Sequence, residues 1–370
     1  MFRVLSLLLC ATAAFGQSPP SPQEVLKSAI AAQESGKYDE AIRDYRSLLE
    51  KYPNIPEIRS NLGAALAGNG QYSEAIVEYK RALKLKPNSQ ARLNLALAYY
   101  KTADLKAAVD TLKIVREEAP SNLQAVTLLA DCYLRLGQNK EVIELLTLVQ
   151  RADPRNQAFN YLLGMALVRD GQAAKGQLII DRILSNGDSA EARLLMGTTK
   201  YMASDFRGAL EDLQKAVELN PGLAEANAYY GMALLASGDQ ANARQAFERE
   251  LKADPNNFEA NLRMGVILRQ DEENEAASRY LQRALQIRPG DPGVLYQIAS
   301  VKLASGQVDE ARRDLEALIK TEPRFLEAHV SLATVYFRQK RKLEGERERA
   351  IVAKLNAERQ SINEVGAKAP

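Results

Sequence analysis

The sequence has no tryptophan, one histidine and two cysteines in 370 residues. Two cysteines and one histidine cannot supply an ordinary zinc site. The single histidine, His329, has no nucleophile or orienting acid placed with it, so no catalytic triad can be drawn. An excess of either charge is also missing. Lys and Arg number 49 against 47 Asp and Glu, a formal net charge of +2, without the basic stripe of a nucleic-acid binder. The glycines fall a repeat apart and do not cluster into a phosphate-cradling loop. Carboxylates are plentiful, yet nothing singles out two of them as an acid–base pair. No enzymatic activity, cofactor or metal is expected.

Long apolar runs are scarce as well. The longest stands at the N-terminus, where Arg3 precedes the run Val4 to Ala14 and Ala14-Phe15-Gly16 puts small residues at both cleavage-determining places. This pattern predicts a secretory signal peptide over 1–16, cut before Gln17. Leu9 precedes Cys10 where lipid-modified signals carry a small residue, which argues against lipidation. Cleavage would leave Cys132 alone, so no internal disulfide is available in an oxidising compartment. No Asn begins an Asn-x-Ser/Thr acceptor, which leans toward a bacterial envelope. The expected location is periplasmic or secreted, with no membrane span after cleavage.

What the chain does have is a period. After a Ser/Pro spacer (17–21), Gly or Ala recurs at Ala29, Gly63, Ala96, Ala130, Gly164, Gly197, Gly231, Gly265, Ala299 and Ala333, in steps of 33 or 34. Prolines keep the same beat, from Pro53, Pro87 and Pro120 to Pro289 and Pro323. Such a period signals stacked two-helix units. In the second copy Leu62, Gly63 and Leu66 mark a first helix, and Ala75, Ile76, Tyr79, Ala82 and Leu83 share one face of a second. Gly70 and its counterparts Gly36, Gly137, Gly171, Gly238 and Gly306 occupy the turn between them, where a left-handed residue ends a helix. Asp39, Ser73 and Asp309 are expected to cap the second helices, and the following proline stops them. A single hairpin cannot bury its apolar face, so each copy needs neighbours.

The set Leu62-Gly63, Leu66, Gly70, Tyr72, Ala75, Tyr79, Ala82, Pro87 resembles the tetratricopeptide repeat, and Met264-Gly265, Leu268, Ala277, Leu281, Ala284, Pro289 repeats the match. The resemblance implies an all-α solenoid, a right-handed superhelix of antiparallel helix pairs, with about ten 34-residue repeats over 22–342. A charged capping helix is expected over 343–360 and a disordered tail over 361–370. Repeat five departs from the pattern: its proline is replaced by Asn186-Gly187 and its second small position is Gly176, so a looser junction with repeat six is expected. Repeat seven carries Glu250 where Ala82 and Ala284 stand elsewhere.

The family implies that first helices line a concave face where partners bind. The stripe of the first helix that varies most between copies is spaced by three and four, hence on one side. It reads Tyr161, Met165, Val168, then Leu194, Thr198, Tyr201, then Ala228, Met232, Leu235. Tyr100 and Tyr296 extend it, and Met202 and Tyr229 lie beside it. Tyrosine and methionine suit a peptide groove, though the same spacing serves core packing between neighbouring first helices. Tyr100, Tyr161, Met165, Tyr201, Met202, Tyr229, Met232 and Tyr296 are the candidate partner-binding residues. His329 aligns with Arg59, Arg193, Asn227 and Asn261 and is expected at the surface, and Cys132 aligns with small buried residues and is expected to be a packed, inert thiol. Glu57, Glu191, Glu225, Glu259 and Glu327 fall near first-helix starts, where they complement the helix dipole. The expected function is an exported scaffold that binds other proteins or peptides. The alternative is an accessory or regulatory subunit of an envelope enzyme or export complex whose catalytic domain lies on another chain.

Overall fold

A computed structural model describes residues 21–185 and 187–366. The expected signal peptide and most of the spacer lie outside them. The described residues form twenty α-helices and no strand, in antiparallel pairs. The first helices are α1 (Pro22–Glu34), α3 (Pro56–Gly68), α5 (Ser89–Lys101), α7 (Leu123–Arg135), α9 (Gln157–Arg169), α11 (Ala190–Met202), α13 (Ala226–Ala236), α15 (Phe258–Gln270), α17 (Pro292–Ala304) and α19 (Leu326–Arg338). The second helices are α2 (Tyr38–Lys51), α4 (Tyr72–Leu85), α6 (Leu105–Glu118), α8 (Asn139–Ala152), α10 (Ala173–Leu184), α12 (Phe206–Leu219), α14 (Gln240–Ala253), α16 (Asn274–Ile287), α18 (Val308–Thr321) and α20 (Lys342–Gly366).

In four repeats the small residue is a glycine that faces a large residue sixteen positions later on the second helix. A Cβ on Gly63 would lie 2.8 Å from the Tyr79 ring, one on Gly231 2.8 Å from Phe247, and one on Gly265 2.6 Å from Leu281. The absent side chain therefore lets the paired helices approach and lets the aromatic or leucine side chain fill the crossing. The turn between the helices is left-handed in all ten repeats. Six use glycine; Ala103, Ser204, Glu272 and Lys340 adopt the same positive φ, 61° to 64°.

The capping residues differ from those read in the sequence. Asp39, Ser73 and Asp309 lie inside the first turns of α2, α4 and α18, and the residues before those helices, Lys37, Gln71 and Gln307, make no side-chain cap. The left-handed turn hands the chain straight into the second helix, so the cap position comes earlier than expected. Where that position is Asp, as in Asp104, Asp205 and Asp239, its carboxylate accepts the amide three residues on. Helix α1 opens with a full capping box, Ser21 and Glu24 each accepting the other's backbone N–H.

The helices fall into two compact units, residues 1–98 and 99–370, divided within α5. The first is centred on buried Tyr45, Leu66 and Tyr79. The second buries Phe159, Phe247, Leu112, Leu129 and Leu194, and ends on a cluster of Ala299, Leu315, Leu318, Ala328, Leu332 and Tyr336. Helix α20 covers α19 with Leu355 buried, and the Arg349 guanidinium stacks 4.6 Å over the Phe337 ring where other repeats place Tyr or Leu. This helix continues to Gly366, past the expected end at 360.

Candidate partner-binding surface

His329 is buried, not at the surface, and its position explains the polar slot that runs through the repeats. Four residues before the small residue, Arg59, Asn160, Asn227, Asn261 and His329 each reach the carbonyl six residues back. Those carbonyls belong to Pro53, Pro154, Pro221, Pro255 and Pro323, at 2.8–3.3 Å. A proline that ends a helix leaves carbonyls without amide partners, and this side chain satisfies one of them. A second slot, fifteen residues after the small residue, supplies acids to the same side chains: Arg59 meets Glu78, Arg193 meets Asp212 and His329 meets Glu348. In repeat six, which follows the repeat that lacks its proline, Arg193 forks instead onto Asp188 at 2.8 and 2.9 Å. A cavity of about 160 Å³ opens beside that junction, lined by Asn160, Ile183, Gly187, Asp188 and Glu191. Cys132 is fully buried, and burial pushes its thiol well above the usual range.

Glu250 also has a partner set. It is almost wholly buried, and its Oε1 accepts the Glu225 amide at 2.8 Å and the Asn257 side-chain amide at 3.0 Å, while Oε2 accepts the Ala228 amide. It thus caps α13 from the neighbouring helix. Helix α13 has eleven residues, and Glu225 before it is left-handed at φ 69° with no side-chain cap of its own. Burial raises the Glu250 carboxyl to about 7 against the pull of these donors.

The candidate stripe divides by position. Met165, Met232 and Tyr229 are buried, whereas Met202 is 53% exposed and Tyr100, Tyr161, Tyr201 and Tyr296 are half-buried. Tyr201 packs on Phe206 and edge-on to Tyr229. Tyr296 packs on Phe325 and meets the Ser331 hydroxyl. Within residues 99–370 the first-helix face of the middle repeats turns onto the chain itself. Tyr100 donates to Asp131, which also receives Arg135 at 3.1 Å, and Arg135 reaches Asp254, 119 residues away, at 2.6 Å. Arg169 reaches Glu225 and the Tyr229 hydroxyl, both at 2.7 Å. Arg288 donates to the Arg135 carbonyl, 153 residues away, and lies 3.7 Å over the Phe258 ring. Tyr161 meets the Ala224 carbonyl. Burial raises the Tyr100 and Tyr161 hydroxyls well above the ordinary value and Tyr229 to about 12, so all three stay protonated: Tyr100 and Tyr161 donate, and Tyr229 accepts from Arg169. Burial disfavours the Arg135 charge, but Asp131, Tyr100 and Asp254 outweigh it.

Sequence reasoning found the tyrosines and missed their partners. The only available signal was Arg five residues after the small residue in two successive repeats, Arg135 and Arg169. Further along, the same face is accessible on α17 and α19. Val330 is 46% exposed, whereas Arg263 Nε, Arg269 Nε and Gln297 Oε1 are buried atoms with no hydrogen-bond partner among the described residues. In residues 1–98 a cavity of about 250 Å³ is lined by Glu57, Ser60, Asn61, Lys86 and Gln90, with Lys86 and Glu57 paired at 3.2 Å. Among the described residues no group of three or more His, Cys, Asp or Glu is arranged for a metal, and no helix is long and apolar enough to cross a membrane.

Two family models described as tetratricopeptide repeat match residues 26–90 and 194–258, and 234–295 and 268–329. A model described as anaphase-promoting complex, cyclosome, subunit 3 matches 68–149. The Arabidopsis thaliana protein CTR9 homolog is 29% identical over 122 residues, 32% of this chain and 11% of that protein, so the match spans about a tenth of that relative. Among solved structures, the APC/C hetero-tetramer Cut9-Hcn1 superposes with a TM-score of 0.53 at 14% identity, over 92% of this chain and 88% of that one. MamA superposes at 0.39 with 22% identity, over 45% of this chain and 97% of its own. None of these models is described as a catalytic family.

Proposed function

This chain is a tetratricopeptide-repeat protein, a fold that serves as a protein–protein interaction scaffold, and we propose that it is exported and holds a polypeptide partner along the concave face of its first helices. The observation that carries the binding mode is the contrast along that face in residues 99–370. The middle repeats are closed by their own side chains, while α17 and α19 leave Tyr296 half-buried and Val330 exposed. Exposed and half-buried apolar side chains along one helix face suit an extended segment that lays its own apolar side chains there.

The test is capture from a cell-envelope extract by the full chain and by a Tyr296→Ala/Val330→Asp variant. Loss of the co-purifying polypeptide with unchanged helicity is the expected result; undiminished capture removes the reading. Export rests on the N-terminal pattern. It predicts a mature chain beginning at Gln17 in the envelope or medium, and an uncleaved chain confined to the cytoplasm would overturn it.

A further inference from the structure

The arginines of the middle repeats stand in one place and are answered by acids from another. Arg135 and Arg169 close α7 and α9, where a cation complements the helix C-terminus. Their acids, Asp254 and Glu225, lie before α15 and α13, on connecting segments that can shift without melting a helix. Glu225 is held in a left-handed conformation unfavourable for a residue with a Cβ. The third arginine, Arg288, has no short carboxylate contact, since its nearest is Glu259 at 3.7 Å. The cluster therefore sets three guanidinium groups against four carboxylates: Asp131 beside Arg135, Asp254 and Glu225 from distant repeats, and Glu259 at the longer 3.7 Å from Arg288. The void beside it, lined by Arg135, Glu225, Asn257, Phe258, Glu259 and Arg288, is about 10 Å³, room for a water and not for a carboxylate. Any ligand carboxylate must then replace one of the chain's own.

We propose that the Arg135–Arg169–Arg288 cluster is a carboxylate-binding site that the chain fills from within, and that an acidic segment of a partner polypeptide enters by taking the places of Glu225 and Asp254. The inference rests on the scaffold reading above and deepens it by naming a ligand chemistry. Exchange of one carboxylate for another keeps each guanidinium fork paired, releases the left-handed residue and gives Arg288 the close partner it lacks.

The experiment uses the full chain and a fluorescein-labelled decapeptide alternating Glu and Leu, with a Gln/Leu peptide as control. Glu225→Gln/Asp254→Asn is expected to bind the Glu peptide at least tenfold more tightly than the unaltered chain, and Arg135→Lys/Arg169→Lys, which keeps charge but loses the fork, several-fold more weakly. Amides in the first turn of α13 should exchange faster in the acid-neutralised chain and slow again with the Glu peptide. A neutralised chain that binds no more tightly, an equal gain for the Gln peptide, or Lys variants with undiminished binding would each overturn the proposal. Because the probe is synthetic, failure here leaves the envelope-capture result standing, and failure of capture leaves this result standing.

Discussion

At the scale of single residues, the left-handed turn makes the most direct prediction. Ten repeats share one backbone conformation, and four of them hold it with a side chain that strains it. Replacing exposed Glu272 or Lys340 by Gly should raise stability by about 0.5–1 kcal/mol each, the relief of left-handed strain less the entropy glycine adds to the unfolded chain. Gly70→Ala should cost a similar amount; denaturant midpoints check all three. The glycine turns were plain in the sequence, but the four other occupants were not, because nothing in Ala103 or Glu272 announces a positive φ. Glu250 gives a second residue-scale prediction. Its carboxyl rises from 4.5 to about 7 through burial, so between those values the folded chain holds a proton that the unfolded chain has lost. Stability from this group is complete below pH 4.5 and is lost as pH rises through 7. At about 1.4 kcal/mol per pH unit this is worth about 3 kcal/mol. The stability of the unaltered chain relative to a Glu250→Gln variant should therefore fall between pH 5 and pH 8. Parallel urea curves at the two pH values would refute the assignment.

At the scale of elements, each helix pair was legible because two demands coincide at one spacing: a small residue at the crossing and a large one sixteen places on. What was not legible is how one pair joins the next. His329 looked like a surface residue because its slot is polar in most repeats. That slot is polar because the preceding proline leaves a carbonyl to be satisfied and the second helix offers an acid. Chemistry, not solvent exposure, selects the residue. His329→Arg should therefore be tolerated, as the Arg59–Glu78 pair shows, whereas His329→Leu leaves the Pro323 carbonyl and the Glu348 carboxylate without a partner. Its expected cost is about 1–3 kcal/mol, read as a shift of the denaturation midpoint at constant m-value. The same reasoning covers the Glu250 cap, a contact between the two helices of repeat seven that a period cannot reveal because it occurs once.

At the scale of the whole molecule, a repeat array is expected to be stabilised by nearest neighbours alone, and a period read from sequence carries only that information. Within residues 99–370 the Arg135–Asp254, Arg169–Glu225 and Arg288–Arg135 contacts break the rule, since they tie repeats four and five to the chain leading into repeats seven to nine. None of these pairs follows from periodicity, because a period aligns equivalent positions and does not say which distant repeats meet. Their burial gives them energetic weight: Arg135 and Asp254 side chains are 15% and 20% exposed, against 38% and 52% for the i,i+4 pair Arg244–Glu248. Solvent screens the second pair to a few tenths of a kcal/mol, while a desolvated, hydrogen-bonded pair couples more strongly. A double-mutant cycle of Arg135→Gln with Asp254→Asn should return a coupling of about 1–3 kcal/mol, and the same cycle on Arg244 and Glu248 under about 0.5 kcal/mol. Equal couplings would mean that the distant contact adds nothing to the nearest-neighbour stack. A large one would mean that repeats four to eight unfold together, so that destabilising α9 should speed hydrogen exchange in α13 and α15 as well as in α7 and α11.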